Sequence, residues 1–129
     1  MSALIDTDVL IDILRGTPVA QAWLARSAAT AFQIPGVVAM ELVMGCRNQA
    51  ELRRVQQFLG AFSVAWTEAA EFARAYDLLV AYRLTSGLSI PDCLVAAMAL
   101  TRSATLYTFN MRHFRVITGL NVQEPYTRP

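Results

Sequence analysis

One α/β domain, with a central parallel sheet flanked by helices on both faces, is the fold this sequence predicts, and three observations predict it. Short apolar or β-branched stretches recur at residues 3–5, 31–34, 62–66 and 105–108, each the length of a buried strand. Longer segments with helical spacing of apolar residues lie between them, and strands that alternate with helices build parallel sheets covered on both sides. The full length, 129 residues, is the size of one domain, and no repeat, low-complexity tract or linker divides residues 1–129.

The first strand, residues 3–5, runs directly into Asp6-Thr7-Asp8. The helix that follows, residues 7–15, has Thr7 as its expected N-cap and is stopped by Gly16-Thr17-Pro18. Residues 19–28 read as a second helix, in which Ala22, Trp23 and Arg26 mark alternate faces. Residues 31–34 give a strand closed by Pro35-Gly36, and residues 37–46 a third helix. Asn48 is placed to cap a fourth, residues 50–59, whose Leu52, Val55, Phe58 and Leu59 form one stripe. Residues 62–66 alternate and are β-rich, which reads as a strand. Thr67 is the expected cap of a long helix reaching residue 85, with Glu71 near the capping-box position and Ser86-Gly87 as its stop. Ser89 opens a helix to Arg102, with Pro91 in its first turn. Residues 105–108 form a strand, 110–114 a turn or short helix, and 116–118 with Val122 weak edge pairing before a tail marked by Pro125 and Pro129.

Composition narrows the function classes. The chain is 55% hydrophobic and 16% charged, with a mean hydropathy of +0.38, which is apolar for a small domain. Its longest apolar run, residues 93–100, is far short of a bilayer span. No basic residue precedes Asp6, which interrupts the first apolar stretch, so the N-terminus does not read as a secretory signal. The expectation is a cytoplasmic protein, without a membrane role, whose surplus apolar surface is covered by a partner, a second copy or both. All eleven basic residues are Arg. That excludes Schiff-base lysines, Lys general bases and a P-loop Lys, and it supplies planar forks suited to phosphate. With a net charge of +1 there is no strong global field for nucleic acid, so such binding needs a local patch drawn from Arg47, Arg53, Arg54, Arg112 and Arg115. Cys46 and Cys93 read as free thiols, and a single His with no CxxC argues against structural zinc.

Four acids stand inside or beside apolar runs: Asp6 and Asp8 in LIDTDVLID, Glu41 in VVAMELVMG and Asp92 in LSIPDCLVAAMAL. A buried carboxylate is costly unless something positive faces it, and a divalent cation shared by several carboxylates offsets that cost. In open α/β sheets ligands bind beyond the carboxyl ends of the strands, where Asp6 and Asn110 fall. Each acid also has a purely structural reading. Asp8 is a first-turn acid, Asp92 sits three residues after Ser89 in a capping-box slot, and Glu41 can be an exposed helix residue. Asp12 reads as a surface partner of Arg15; Glu51, Glu68, Glu71 and Asp77 read as solvated helix faces, and His113 as a surface or capping residue.

Taken together, four blocks carry a resemblance: LIDTDVLIDILRG, VVAMELVMGCR, SIPDCLVAAMAL and LYTFNMRHFRVITGLNVQEP. In this order the chain resembles the PIN-domain ribonucleases, specifically the VapC-type toxins of type II toxin–antitoxin pairs. The resemblance implies a PIN-like parallel sheet with an acidic pocket that holds Mg²⁺ or Mn²⁺. It makes Asp6, Glu41 and Asp92 the acidic triad and metal ligands, with Asp8 as a further candidate. Asn110 stands where many relatives carry a fourth acid, and Thr108 matches a Ser/Thr that supports the site. The implied activity is endonucleolytic hydrolysis of RNA phosphodiesters, leaving 5′-phosphate and 3′-hydroxyl ends, with Arg112 and Arg115 as candidate RNA contacts. The implied partners are a cognate antitoxin, whose tail lies in a groove between helices, and a second toxin protomer. Trp23, Leu24 and the Leu52/Val55/Phe58/Leu59 stripe are the candidate groove or dimer residues.

Two other readings compete. Asp6-Thr7-Asp8 after a strand also suits a haloacid-dehalogenase-type phosphatase, with Asp6 as covalent nucleophile, although Leu10 replaces the usual Thr or Val and the chain is short for that fold. A non-catalytic PIN-like module that binds RNA or protein is the other, favoured by the neutral Asn110.

Overall fold

The computed structural model of the protein describes residues 2–129. Strands β1 (Ser2–Ile5), β2 (Ala31–Pro35), β3 (Ser63–Ala65), β4 (Thr105–Tyr107) and β5 (Val122–Gln123) form one sheet in the order β3-β2-β1-β4-β5. All four pairings are parallel. The register sets Leu4 beside Gln33 on one side and Leu106 on the other. Ala3, Leu4 and Ile5 of the central strand are all buried, so both faces of the sheet are covered, as the continuous apolar run implied.

Helices α1 (Thr7–Leu14) and α2 (Pro18–Arg26) connect β1 to β2; α3 (Gly36–Met44) and α4 (Gln49–Leu59) connect β2 to β3. Helices α5 (Ala69–Ser86) and α6 (Ile90–Thr101) lead to β4, and the short α7 (Met111–Phe114) follows it. From Cys93 to Ala99 every residue of α6 is buried, because the helix is packed against α5, α3, α7 and β4. That explains a segment with no polar face, which sequence periodicity alone reads poorly. On the side of the sheet bearing Phe32 and Tyr107, Trp23 of α2 packs against both rings at 5.1 Å between centroids, and Tyr126 closes the cluster at 6.0 Å from Trp23. Gly36 opens α3 directly under the Trp66 ring, which a side chain there would strike.

Several sequence expectations need correction. The N-cap of α1 is Asp6, not Thr7, because the Asp6 carboxylate accepts the Thr7 amide. Helix α5 is capped by Glu68 rather than Thr67, with Glu71 completing the capping box. Glu71 is not solvated: it is 2% exposed, accepts two hydrogen bonds from Arg102 at 2.8 and 2.9 Å, and is held below the usual carboxylate range mainly by them. Asp12 pairs not with Arg15 but with the chain end, accepting Tyr126 Oη at 2.8 Å and Arg128 Nε at 3.1 Å. Residues 116–118 do not pair; beside β4 the edge is formed by β5 alone. Trp23 is 5% exposed and belongs to the core, not to a groove. Both cysteines are free thiols, as expected. Among the described residues, no helix is long and apolar enough to cross a membrane.

Candidate active site

The carboxyl ends of β1 and β4 lie side by side, and the residues that follow them build a cleft of about 480 Å³. Its lining includes Asp6, Asp8, Glu41, Asp92, Asn110 and Arg128. Four acids from three separate sequence blocks therefore meet at one rim of the sheet.

Local chemistry places each one. Asp6 leaves β1 with its amide still bonded to Tyr107 O at 3.0 Å, which continues the β1–β4 ladder by one residue. One carboxylate oxygen caps α1 through the Thr7 amide at 2.9 Å, and the other accepts the Thr108 hydroxyl at 2.8 Å. Asp8, in the first turn of α1, accepts its neighbour's amide, Val9 N, at 2.8 Å and Phe109 N at 3.0 Å, tying the loop after β4 to α1. Thr108 is fully buried; its hydroxyl donates to Asp6 and accepts Asn110 N at 3.0 Å. Asp92 accepts Ser89 N at 3.2 Å while Ser89 Oγ accepts Asp92 N at 3.2 Å, so the capping-box reading and the cleft position hold together. Glu41 projects from α3 and accepts the Thr7 hydroxyl at 3.0 Å, in line with an exposed helix position. His113 lies with Nδ1 3.1 Å from Asn110 Nδ2 and 3.5 Å from Asp92 Oδ2, so it borders Asp92 while its ring stays partly exposed.

The electrostatics are uneven. Asp6 is lifted from its ordinary 3.8 to about 6, first by burial and then by the charge of Asp8; the Thr108 and Thr7 hydrogen bonds oppose the rise. Asp8 is also raised, mainly by burial. Of the cleft-lining residues only Arg128 carries a positive charge. A group of hard carboxylate oxygens short of positive charge has the donor chemistry that suits Mg²⁺ or Mn²⁺. As the side chains stand, no three His, Cys, Asp or Glu among the described residues converge into a ready-made coordination shell. Each acid is turned to nearby hydrogen-bond donors.

Arg112 and Arg115 are exposed on and just after α7, and neither lines the cleft. Arg128, Phe109 and the nearness of His113 to Asp92 were not legible in the sequence. Arg128 arrives from the chain end, and no local spacing points from residue 128 to residue 8.

The family model for the PIN domain matches residues 3–119, and the chain belongs to the PIN-domain family. Its relatives include Ribonuclease VapC19 of Mycobacterium tuberculosis, 36% identical over 128 residues that cover 95% of this chain and 98% of that one. Ribonuclease VapC10 of the same organism is 32% identical, over 98% and 94% of the two chains. A toxin–antitoxin complex from Klebsiella pneumoniae contains a chain that matches with a TM-score of 0.75 at 28% identity, covering 96% of this chain and 98% of its own. The fold is also that of VapBC2 from Rickettsia felis, solved with a promoter DNA fragment, at a TM-score of 0.83 and 20% identity over 96% and 98% of the chains. Membership of this family sets aside the phosphatase reading of Asp6-Thr7-Asp8.

Proposed function

We propose that the protein is a divalent-metal-dependent endoribonuclease and the toxin of a toxin–antitoxin pair. The observation that carries the reading is the gathering of Asp6, Asp8, Glu41 and Asp92 around one cleft faced by a single guanidinium. Its relatives' names, Ribonuclease VapC19 and Ribonuclease VapC10, support RNA as the substrate. Asp6, Glu41 and Asp92 would hold Mg²⁺ or Mn²⁺, with Asp8 as a further ligand and the neutral Asn110 where a fourth acid could have stood. A divalent ion held there supplies a water acidic enough to attack near neutral pH and neutralises charge on the phosphate.

The chain's own residues prepare the site. Thr108 fixes one oxygen of Asp6 and the Ser89 amide fixes one of Asp92, so each carboxylate has little room to swing when a ligand arrives. Thr7 holds Glu41 over the same cleft. Asn110 and His113 brace each other beside Asp92.

Two surfaces suit the partners. An apolar groove of about 300 Å³ between α1, α3 and α4 includes Ile11, Leu14, Leu42 and Val55, and it shares Thr7 and Glu41 with the acidic cleft. A bound antitoxin segment there would lie beside the acids, and the Klebsiella complex supports such a partner. Phe72, Tyr76, Val80 and Leu84 form an exposed stripe on α5, at least 55% accessible each, suited to a second toxin protomer. The cytoplasm, which holds both RNA and a freshly made antitoxin, is the compartment we assign.

The deciding experiment is cleavage of an RNA panel by purified protein with Mg²⁺ or Mn²⁺, beside an EDTA control and Asp92→Asn. Cleavage lost in both controls is expected. Cleavage that persists in both refutes the carboxylate–metal reading. A non-catalytic RNA- or protein-binding module is the second reading, favoured by the neutral Asn110; it requires negligible Mn²⁺ affinity in calorimetry.

A further inference from the structure

The geometry points to Arg128 as a substrate-positioning residue that takes a phosphate of the RNA strand next to the acidic cleft, an assignment that rests on the ribonuclease reading above.

Arg128 is built into its place by three contacts. Nε bonds Asp12 Oδ2 at 3.1 Å, Nη2 bonds the Asp8 carbonyl at 3.2 Å, and the guanidinium carbon lies 4.0 Å above the centre of the Phe109 ring. Its side chain remains 45% exposed. Tyr126, two residues earlier, is buried and shares the Asp12 oxygen, so the chain end that presents Arg128 is docked rather than loose. Those bonds use Nε and Nη2; Nη1 has no hydrogen-bond partner among the described residues. A guanidinium satisfied on one edge and open on the other, stacked on an aromatic face, is the arrangement in which Arg takes a phosphate oxygen.

The charge balance of the cleft points the same way. Asp6, Asp8, Glu41 and Asp92 repel a polyanion, and a metal ion relieves that at the scissile phosphate only. A strand of RNA presents a phosphate at every nucleotide, and the flanking ones need a cation on the protein. Arg112 and Arg115 lie outside the cleft, whereas Arg128 lines it. Arg128 is therefore the cation that can meet a flanking phosphate while the neighbouring one occupies the acidic centre.

The test uses the full chain and three variants: Arg128→Gln, Arg128→Lys and Tyr126→Phe. Binding of a labelled single-stranded RNA is followed by anisotropy with Ca²⁺ at several salt concentrations, and cleavage is followed with Mg²⁺ or Mn²⁺. For Arg128→Gln, kcat/KM is expected to fall about ten- to hundredfold, the scale of one charge-assisted hydrogen bond, and to fall through KM with kcat held. The slope of log affinity against log salt should flatten by about 0.7, one phosphate contact on a single strand. Arg128→Lys should keep the slope and recover part of KM. Tyr126→Phe removes the hydroxyl bond to Asp12 and keeps the charge, so it should leave the slope unchanged; if it matches Arg128→Gln, the tail has only a structural role and the assignment is overturned.

Faster cleavage by Arg128→Gln would make Arg128 an internal plug of the cleft, which also overturns it. Wild-type protein that cleaves while Arg128→Gln matches it overturns Arg128 and leaves the ribonuclease reading intact. Wild-type protein that binds RNA without metal-dependent cleavage sinks the ribonuclease reading and, with it, Arg128 as a substrate-positioning residue. Failure of the wild type to bind or cleave overturns both.

Discussion

Replacing Asp6 by Asn should make the folded protein more stable and the enzyme inactive. Raising a carboxyl from 3.8 to about 6 weighs against its ionised form by about 3 kcal/mol, at about 1.4 kcal/mol per pH unit. Solvent at the open mouth of the cleft screens part of this, and Asn keeps only one acceptor for the Thr7 amide and Thr108 hydroxyl, so a net gain of about 1–2 kcal/mol is expected near neutral pH. The pH dependence fixes the cause. Because the folded carboxyl keeps its proton to higher pH than the unfolded one, ionising Asp6 removes stability as pH rises from about 4 to about 6. Urea denaturation of wild type and Asp6→Asn in EDTA should therefore coincide near pH 4 and separate above pH 6, with the variant the more stable. Mn²⁺ should then restore the wild type, by about 2.7 kcal/mol at a hundredfold excess over its dissociation constant, and do little for Asp6→Asn. A variant no more stable than wild type at pH 8 in EDTA would refute the argument that uncompensated charge strains this site.

Other outcomes follow from the same structure. Asp92→Asn and Glu41→Gln should each lower RNA cleavage about a hundredfold or more while circular dichroism stays native. Asn110→Asp adds a fifth acid to the cleft and should tighten Mn²⁺ binding by about tenfold in calorimetry. Arg102→Ala removes the partner of Glu71, which is 2% exposed in the intact protein, so it should cost about 2–4 kcal/mol in urea denaturation, below the full buried-pair value because Arg102 is partly solvated. Trp23→Ala should cost about 3–5 kcal/mol of stability rather than weaken antitoxin binding selectively, since the ring sits in the core.

The parallel sheet and its order of elements were legible because each strand is a short apolar run bounded by turn residues and each helix carries a cap or a stop. Asn48 and Ser89 act as read. The caps that were misjudged, Thr7 and Thr67, stand one residue away from acids that do the same work with a charged oxygen. The acids of the cleft were visible one at a time, and their gathering depends on β1, α3, α6 and the loop after β4 ending at the same rim. What could not be read was contact across the chain. Glu71 looks like any helix-surface acid until Arg102 is folded against it, and Asp12 looks paired with Arg15 until the chain end returns over it.

The central strand and the wall that completes its site lie far apart in the sequence. Thr108 reaches Asp6 across 102 residues and Arg128 reaches Asp8 across 120. A growing chain that has already emerged past Asp92 carries all four acids of the cleft but neither β4 nor the hydroxyl that orients Asp6. The acids alone are thus not the site: the frame that orients them is supplied by residues more than a hundred positions away. Chains stopped before Thr105 are accordingly expected to be silent in the cleavage assay, although they contain Asp6, Asp8, Glu41 and Asp92.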